Sequence, residues 1–358
     1  MDLVLKNREW KEFEIKKIFT ITSGKRLTKA DMRPGKTPFI GSTDANNGIT
    51  EFISNSNRSE DFNVLGVNYN GSVVENFYHP YNAIFSDDVK RISFKQVLGN
   101  KYLYLFAKTS ILRQKNKYQY GYKFNEKRMN SQKIMLPVNL HAEPDYEFME
   151  AYMRQKEQEK IHAYKNIILK EISKLKGEKD ILPLSEKDWE EFNLQDLFNP
   201  EKGNQNNMAS LKNGDMPLVS AKNGNNGIKG FVSKNDKKKF HKHCLTLNND
   251  GDGGAGISYY QSFDFLLDSH VTALNAKEKL SKYTLLFISR CITKQRAKFG
   301  HGYSLTNNRL KAFRFMLPVN ENKTPDYEYM EKYMKTLELN KLKKYLHYLA
   351  SIEKTAQK

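Results

Sequence analysis

The stretches Met135-Leu-Pro-Val-Asn139 and Pro144-Asp-Tyr-Glu-Phe-Met-Glu150 decide the fold of this chain of 358 residues. Both return 181 residues later. The first recurs without change as Met316-Leu-Pro-Val-Asn320, and the second recurs with one difference as Pro325-Asp-Tyr-Glu-Tyr-Met-Glu331. Segments that recur in this way predict two copies of one structural unit.

The repeat extends outward from these stretches toward the beginning of each copy. Tryptophan opens each copy and is followed by Phe, an aliphatic residue and an Ile-Phe or Leu-Phe pair, 179 residues apart in the two copies. The further matched pairs are Asn46-Asn-Gly-Ile49 with Asn225-Asn-Gly-Ile228, Gly121-Tyr122 with Gly302-Tyr303, and Arg128 with Arg309. Chance does not produce such a collinear series, so the chain is predicted to be a tandem duplication.

The first part of each copy contains short apolar or alternating runs separated by Gly, Asn and Pro. This pattern predicts strands joined by tight turns. Asn-Gly pairs at 47–48, 70–71, 213–214 and 226–227 mark expected turns. Apolar residues at helical spacing over 102–114 and 283–295 predict one helix in each copy.

The second part of each copy is a long run without internal Gly or Pro, from Pro144 to about Lys176 and from Pro325 to about Lys354. Apolar residues recur there every three or four positions, and Pro in the first turn before acidic residues is typical of a helix start. Each helix of about 32 residues would be about 48 Å long. Narrow apolar stripes favour pairing of the two helices, and two unrelated surface helices are the alternative.

The predicted fold class is therefore α+β: two mixed strand-rich units, each followed by a long helix, with the helices paired as an antiparallel coiled coil. The predicted boundaries are 1–143 and 181–324 for the globular units, and 144–180 and 325–358 for the spacer helices. Disorder is not expected over most of the length, because 39% of the residues are hydrophobic and 12% are aromatic.

The charge balance is strongly basic, with 59 Lys and Arg against 41 Asp and Glu and a net charge of +18. Such a surplus favours a nucleic acid or an anionic membrane, although a basic protein from a Lys-rich proteome would also show it. We expect no membrane contact, because no run of about 18 apolar residues is present. Early charges do not fit a secretory signal, and two Cys cannot form a disulfide framework. A cytoplasmic protein is expected.

Two motifs have residues that could bind a cofactor or a metal, but a purely structural role accounts for each of them better. The glycine spacing in 248–256 matches that of a dinucleotide-binding or methyl-donor-binding loop. A strand-like run follows it, however, where such a loop requires a helix. A zinc site would need four ligands in paired short spacings, and the first copy has no counterpart to this group. The His and Cys residues concerned are His241, His243, Cys244, His270 and Cys291. No metal and no cofactor are expected in this chain.

Catalysis is not expected either. Glu14-Ile-Lys16 and Asp87-Asp88 resemble parts of a nuclease site, but the second copy has Asn193-Leu-Gln195 in place of the first. A DNA methyltransferase would need an Asn/Asp-Pro-Pro-Tyr/Phe loop to hold the target base, and the sequence contains none.

Two clusters of aromatic, amide and cationic residues, over 118–128 and 298–311, are the candidate nucleic-acid-binding sites. Arg and Lys can bond to guanine edges, Asn and Gln to adenine edges, and the others can hold phosphates. A solvated basic face is the alternative for any single residue. The candidate residues are Lys25, Arg26, Tyr118, Tyr120, Tyr122, Lys123, Lys127, Arg128, Lys237, Lys238, Lys298, His301, Tyr303, Asn307, Asn308, Arg309 and Lys311.

The two copies differ within these clusters while their scaffold residues agree. Lys123-Phe-Asn-Glu126 is aligned with Ser304-Leu-Thr-Asn307, and Lys25-Arg26 is aligned with Lys202-Gly203. Lys237-Lys-Lys239 adds a cationic turn to the second copy only. Two different half-sites on one framework are therefore predicted.

The order of these features, twice over, resembles the specificity subunit of type I restriction-modification systems. The resemblance covers nearly the whole chain and includes the Trp-led opening, the Gly-rich turn and the closing Met-Leu-Pro. It implies two target-recognition domains at opposite ends of paired antiparallel helices. The expected partners are double-stranded DNA and DNA methyltransferase subunits, which carry S-adenosylmethionine.

Departures from the family leave the kind of assembly open. The chain is short, and its helix start is more similar to the compact specificity subunits of type IIB or related systems. The further partner would be a restriction and translocase subunit in the first case and a fused methylase-nuclease in the second. A stand-alone DNA-modifying or DNA-cleaving enzyme and a repeat RNA-binding protein are the rival functions.

Overall fold

A computed structural model describes residues 3–118, 121–175, 181–206, 210–251, 254–299 and 303–356. The chain forms two compact units, Met1–Tyr164 and Lys165–Lys358. Each unit has the same strands in the same sheet order, and a long helix closes each repeat. The predicted fold class of two strand-rich repeats, each followed by a long helix, is confirmed.

The first copy contains two four-stranded sheets and a two-stranded ribbon. Its strands are β1 (Trp10–Glu14), β2 (Phe19–Ser23), β3 (Pro34–Ile40), β4 (Ile49–Ile53), β5 (Glu60–Asp61), β6 (Val64–Asn68), β7 (Asn76–His79), β8 (Ala83–Phe85), β9 (Val89–Phe94) and β10 (Lys133–Pro137). Its helices are α1 (Ile15–Ile18), α2 (Lys101–Leu112), α3 (Glu126–Ser131) and α4 (Tyr146–Lys174). One sheet has the order β2-β9-β6-β7, the other has the order β4-β3-β8-β5, and β1 pairs with β10.

The second copy repeats this plan. Its strands are β11 (Trp189–Asn193), β12 (Phe198–Lys202), β13 (Asn213–Val219), β14 (Ile228–Val232), β15 (Lys239–Phe240), β16 (Cys244–Asn248), β17 (Ser258–Gln261), β18 (Phe265–Leu267), β19 (Val271–Ala276) and β20 (Arg314–Pro318). Its helices are α5 (Leu194–Leu197), α6 (Lys282–Thr293), α7 (Asn307–Lys311) and α8 (Tyr327–Ala356). The sheet orders are β12-β19-β16-β17 and β14-β13-β18-β15, with β11 paired to β20.

The core of each unit lies between the first sheet and the helix that the apolar spacing predicts. Every residue of β6 and of β16 is buried, because each strand is central in its sheet and α2 or α6 covers one face. Both predicted helices are confirmed within a few residues of their ends. The short helices α1, α3, α5 and α7 have no apolar period long enough to be predicted.

The two tryptophans anchor the ribbons in the same register. Trp10 lies opposite Pro137, and Trp189 lies opposite Pro318. The indole N–H of each donates to the backbone carbonyl five residues earlier, at 3.2 and 3.0 Å. Each ring also packs on a phenylalanine of α2 or α6, which ties the ribbon to the core.

The Asn-Asn-Gly motif makes the same turn in both units. Asn47 and Asn226 both have φ of 54°, and the glycines that follow have φ of 78° and 75°. Asn and Gly tolerate this left-handed region better than other residues do, which is why the motif predicts a turn. Gly71, with φ of 59°, likewise lies in the connection between β6 and β7.

The predicted turn at 213–214 is wrong. Asn213 and Gly214 begin β13, where the register with β14 shifts before Met216. A Cβ on Gly214 would lie 2.5 Å from the backbone N of Ser233. Glycine therefore allows two strands to approach at a bulge here and does not reverse the chain.

The long helices have 29 and 30 residues, slightly fewer than predicted. The side-chain oxygens of Asp145 and Asp326 cap them, each accepting a 3.0 Å hydrogen bond from the N–H three residues later. Pro144 and Pro325 precede these caps in isolated β-bridges, so the expectation that proline occupies the first turn is wrong. Pairing of α4 with α8 stays a prediction, as do the predicted domain boundaries. Among the described residues, no helix is long and apolar enough to span a membrane.

Candidate nucleic-acid interface

The two candidate clusters surround the short helices α3 and α7. Phe124 and Leu305, which lie just before these helices, are 0% and 5% exposed and fix the loop to the core. Asn125 and Thr306 cap the helices, because their side-chain oxygens accept hydrogen bonds of 3.0 and 3.4 Å from the N–H three residues later. In the segments 123–126 and 304–307, which were expected to differ because they recognise different bases, the two middle residues therefore hold the loop and the helix in place.

One arginine in each unit lies over the ring of a tyrosine. The guanidinium carbon of Arg128 lies 3.7 Å from the ring centre of Tyr122, and that of Arg309 lies 3.6 Å from the ring centre of Tyr303. Nη1 of each arginine donates to the carbonyl five residues earlier, at 2.8 and 2.7 Å. Both cations are thus oriented in advance, and among the described residues the hydrogen bond to this carbonyl uses one of the five N–H donors of each guanidinium.

Each of these arginines lines an open cavity, of about 480 Å³ in the first unit and about 300 Å³ in the second. Five aligned positions of the two cavities carry identical residues. These are Glu12 and Glu191, Gln114 and Gln295, Lys117 and Lys298, Tyr122 and Tyr303, and Arg128 and Arg309. Gln132 in the first cavity is replaced by Phe313 in the second, which makes the second cavity less polar.

Tyr118 supports the first cavity from within. Its hydroxyl donates to Oε1 of Gln132 at 2.6 Å, and its ring stacks on Tyr122 with 5.8 Å between centres. Burial, and secondarily Tyr122, raises the pKa of Tyr118 above its ordinary value. Tyr118 therefore stays a neutral hydrogen-bond donor and orients Tyr122, on which Arg128 rests.

An ion-pair network joins the Lys25-Arg26 segment to α3. Nζ of Lys90 lies 3.0 Å from Oε2 of Glu126 and 2.5 Å from Oγ of Ser23, which is two residues before Lys25. Ser23 Oγ also donates to Glu126 at 3.3 Å. Arg26 is exposed and 3.7 Å from Asp87. The contacts therefore hold Ser23, two residues before Lys25, against the first residue of α3.

The match of Lys25-Arg26 with Lys202-Gly203 is wrong. Gly24 and Gly203 occupy equivalent places, since their N–H groups donate to Val89 and Val271 at the start of β9 and β19. Lys25 and Arg26 therefore align with Asn204 and Gln205. The comparison of letters alone ran two residues out of register, which the strand pairing corrects.

In the second unit, a cation instead occupies the place of Ser23. Lys202 pairs across the strands with Thr272, whereas Ser23 pairs with Lys90. The lysine of this cross-strand pair therefore lies on β9 in the first unit and on β12 in the second. Asn307 occupies the position that Glu126 has in the first unit. Sequence comparison missed this exchange, because only the strand register shows which residues face each other.

The Lys237–Lys239 segment lies beside the residues that follow β12. Asn235, just before it, donates to Gln205 at 2.8 Å, and Lys238 forms an ion pair with Glu201. Lys237 is exposed. Exposed side chains also belong to Lys123, Lys127, Lys298, Asn307, Asn308 and Lys311. Tyr120 and His301 lie outside the described residues.

The His and Cys residues that could suggest zinc are engaged elsewhere. His243 hydrogen-bonds with Tyr260 at 3.0 Å and with the Leu280 carbonyl at 2.8 Å. Burial raises the pKa of Cys244 to about 12 and that of Cys291 to about 11, which disfavours the thiolate that binds metals. Within the described parts of the chain, no group of three or more metal-ligating side chains occurs.

One aligned pair of loop residues differs between the units, because Asp250 stands at the position of Asn70 and His270 stands at the position of Asp88. Asn70 donates to Asp88 at 3.0 Å in the first unit, and His270 lies 2.8 Å from Asp250 in the second. The hydrogen bond to Asp250 raises the pKa of His270 above its ordinary value, although burial lowers it and nearby Lys202 opposes it. The imidazolium is therefore stabilised in the folded unit.

The stability of the second unit should consequently depend on pH through the protonation of His270. A raised folded pKa contributes stability that is complete below the unfolded value of about 6.5 and is lost as pH rises through the folded value. Wild-type protein should melt about 1–2 °C above His270→Gln at pH 5.5, with no difference at pH 8.5, because the pair is partly exposed. Thermal unfolding at both pH values tests this, and an equal gap at the two values would contradict it.

Both units have the same framework and the same arginine, and the exposed residues around that arginine differ between them. This arrangement is typical of a DNA-recognition protein with two reading units. The family model described as the type I restriction modification DNA specificity domain matches residues 7–167 and 186–346. The chain belongs to this family and carries its domain twice. The resemblance seen in the sequence and the prediction of two DNA-recognition domains are confirmed.

A curated relative matches part of the chain. This relative is the specificity subunit of the type II restriction enzyme BcgI of Heyndrickxia coagulans. The chain is 63% identical to it over 153 residues, which is 43% of the chain. The match spans 45% of that relative's length.

Two solved structures align along nearly the whole chain. One is the S subunit of a type I restriction-modification system from M. genitalium, with a TM-score of 0.49 and 16% identity over 99% of this chain and 97% of that one. The other is the HsdS subunit from Thermoanaerobacter tengcongensis, with a TM-score of 0.31 and 12% identity over 96% and 91%.

Proposed function

We propose that this chain is the DNA-reading specificity subunit of a cytoplasmic restriction-modification complex, with no catalytic activity of its own. Each unit would read one half of a bipartite target. The observation that carries the proposal is the repeated cavity: an arginine resting on a tyrosine, five identical lining positions, and different exposed residues around them.

The DNA-contacting surface would comprise the exposed residues around α3 and α7 and the segments joined to them. Arg128 and Arg309 are the best-oriented cations of this surface. The proposed contacts are Lys25, Arg26, Tyr122, Lys123, Lys127 and Arg128 in the first unit, and Lys237, Lys238, Lys298, Tyr303, Asn307, Asn308, Arg309 and Lys311 in the second. Tyr118 would act indirectly, because its hydroxyl is taken by Gln132.

The long helices would pair as a spacer and bind DNA methyltransferase subunits, which supply S-adenosylmethionine. The relative at 63% identity is a specificity subunit of a type II enzyme, and it favours a compact assembly with a fused methylase-nuclease over one with a separate translocase. The net charge of +18 suits an assembly that must also approach DNA without regard to sequence.

Purified chain should neither methylate nor cleave DNA, and sequence-specific methylation should appear when a DNA methyltransferase encoded beside it is added. The family model that matches both copies is a DNA specificity domain, and each cavity gathers cations, an amide and aromatic rings around one arginine. Methylation mapping with each component alone and with both tests the proposal.

Competition with duplex RNA separates the rival RNA-binding function. The complex should prefer duplex DNA, because side chains cannot read bases in the deep major groove of A-form RNA. Methyl transfer by the chain alone, or preference for RNA, would contradict the proposed function.

A further inference from the structure

In the helices α3 and α7, the residue directly before the fixed arginine is exposed to solvent and the residue directly after it is buried. Met129 and Leu310 are buried, at 0% and 7% exposure, and hold each helix to its core. Lys127 and Asn308 lie two residues earlier, which is about 200° around a helix of 3.6 residues per turn. Both side chains are exposed and therefore point away from the core.

The framework around this position is the same in both units. The caps of both helices recur, and the distances from the arginine to its tyrosine and to the carbonyl of the preceding loop agree within 0.1 Å between the units. Arg128 and Arg309 are therefore poorly suited to distinguish two half-sites, since the same group is held by the same two contacts in both units. They are suited to a feature that both half-sites share, which is the phosphate backbone.

The neighbouring position on α3 is oriented by contacts within the protein. Oε2 of Glu126 contacts both Lys90 and Ser23, which holds the carboxylate toward β9 and β2, although 52% of the side chain is exposed. In the second unit this position is the exposed Asn307, which has a neutral amide. A contrast between cation and amide remains at two aligned positions of these helices, Lys127 against Asn308 and Asn130 against Lys311, and only at the first are both side chains exposed.

Resting on the proposed function, we infer that the aligned residues Lys127 and Asn308 select different bases in the two half-sites. The ammonium of Lys127 suits the O6 and N7 acceptors of guanine, and the amide of Asn308 suits the paired acceptor and donor of adenine. Arg128 and Arg309 hold the backbone and set the position of each helix over its base pair.

Exchanging these two residues tests the assignment. Lys127→Asn and Asn308→Lys are each assembled with the partner methyltransferase, and the methylated sequences in a randomised DNA library are read. Lys127→Asn should lower the preference for guanine at one position of one half-site by about tenfold and raise that for adenine. Asn308→Lys should cause the reverse change in the other half-site. Lys127→Gln, which keeps helix propensity, should act in the same direction as Lys127→Asn.

Lys95→Asn is the matched control, because it removes the same charge from an exposed site at the opposite end of β9 from Lys90. It should leave both half-sites unchanged. Unchanged preferences in both exchange variants, or one variant altering both half-sites equally, would overturn the assignment. Absence of sequence-dependent methylation with the wild-type chain would instead overturn the proposed function.

Discussion

Replacing Arg128 and Arg309 together with alanine is expected to lower the affinity of the assembled complex for its target by about a hundredfold. Each loss removes a cation that tyrosine and a backbone carbonyl hold in place, and each contact of this kind is worth about tenfold. If both contact phosphates, the slope of log affinity against log salt should fall by about 1.8. Binding measured across a salt series tests both numbers.

A control must remove the same charge without touching the interface. Lys95 and Lys277 follow β9 and β19 in the two units and are exposed, so Lys95→Ala with Lys277→Ala provides that control. Arg128→Lys with Arg309→Lys should keep the charge and lose part of the affinity, because lysine lacks the planar group that stacks on tyrosine. Equal effects of the alanine pair and the control pair would show that only net charge matters. A base preference relaxed by the alanine pair would show that the arginines read bases.

Much of the fold could be predicted because the sequence contains its own comparison. Two copies with matching Trp-led openings and matching helix starts indicate the same elements twice, and periodicity alone indicates α2, α4, α6 and α8. The bulge at Asn213 could not be predicted, because Asn-Gly has the same letters in a turn and in a bulged strand. What separates them is the close approach of a neighbouring strand, which is a tertiary property.

The site was predictable in part for the same reason. The repeated Gly-Tyr and Arg pick out Tyr122, Arg128 and their counterparts directly from the alignment of the copies. Burial was not predictable there: Phe124 lies within the cationic segment and is fully buried. The Lys90 network was missed because its partners come from three separate segments that meet only after the strands pair.

Lengthening the spacer helices is expected to change the DNA target itself, which is the largest effect on function. Four residues added after Lys160 lengthen α4 by about 6 Å, which corresponds to roughly two base pairs of B-DNA. Four residues exceed one helical turn by only about 40°, so the apolar stripe keeps nearly the same face. If paired helices set the distance between the reading units, the variant should methylate the same half-sites with a gap longer by about two base pairs. Genome-wide mapping of methylated sites measures both.

The repeat supplies the matched variants for this experiment. Lys341 in α8 aligns with Lys160 in α4, so the same insertion after both residues lengthens both helices and preserves an antiparallel pair. A two-residue insertion after Lys160 rotates the remaining helix by about 200° and should abolish methylation, since it turns the apolar stripe away from its partner. An active four-residue variant with an unchanged gap would show that the helices do not space the units. Altered half-sites at a constant gap would place base recognition in the helices, and α3 and α7 would then lose the role assigned to them.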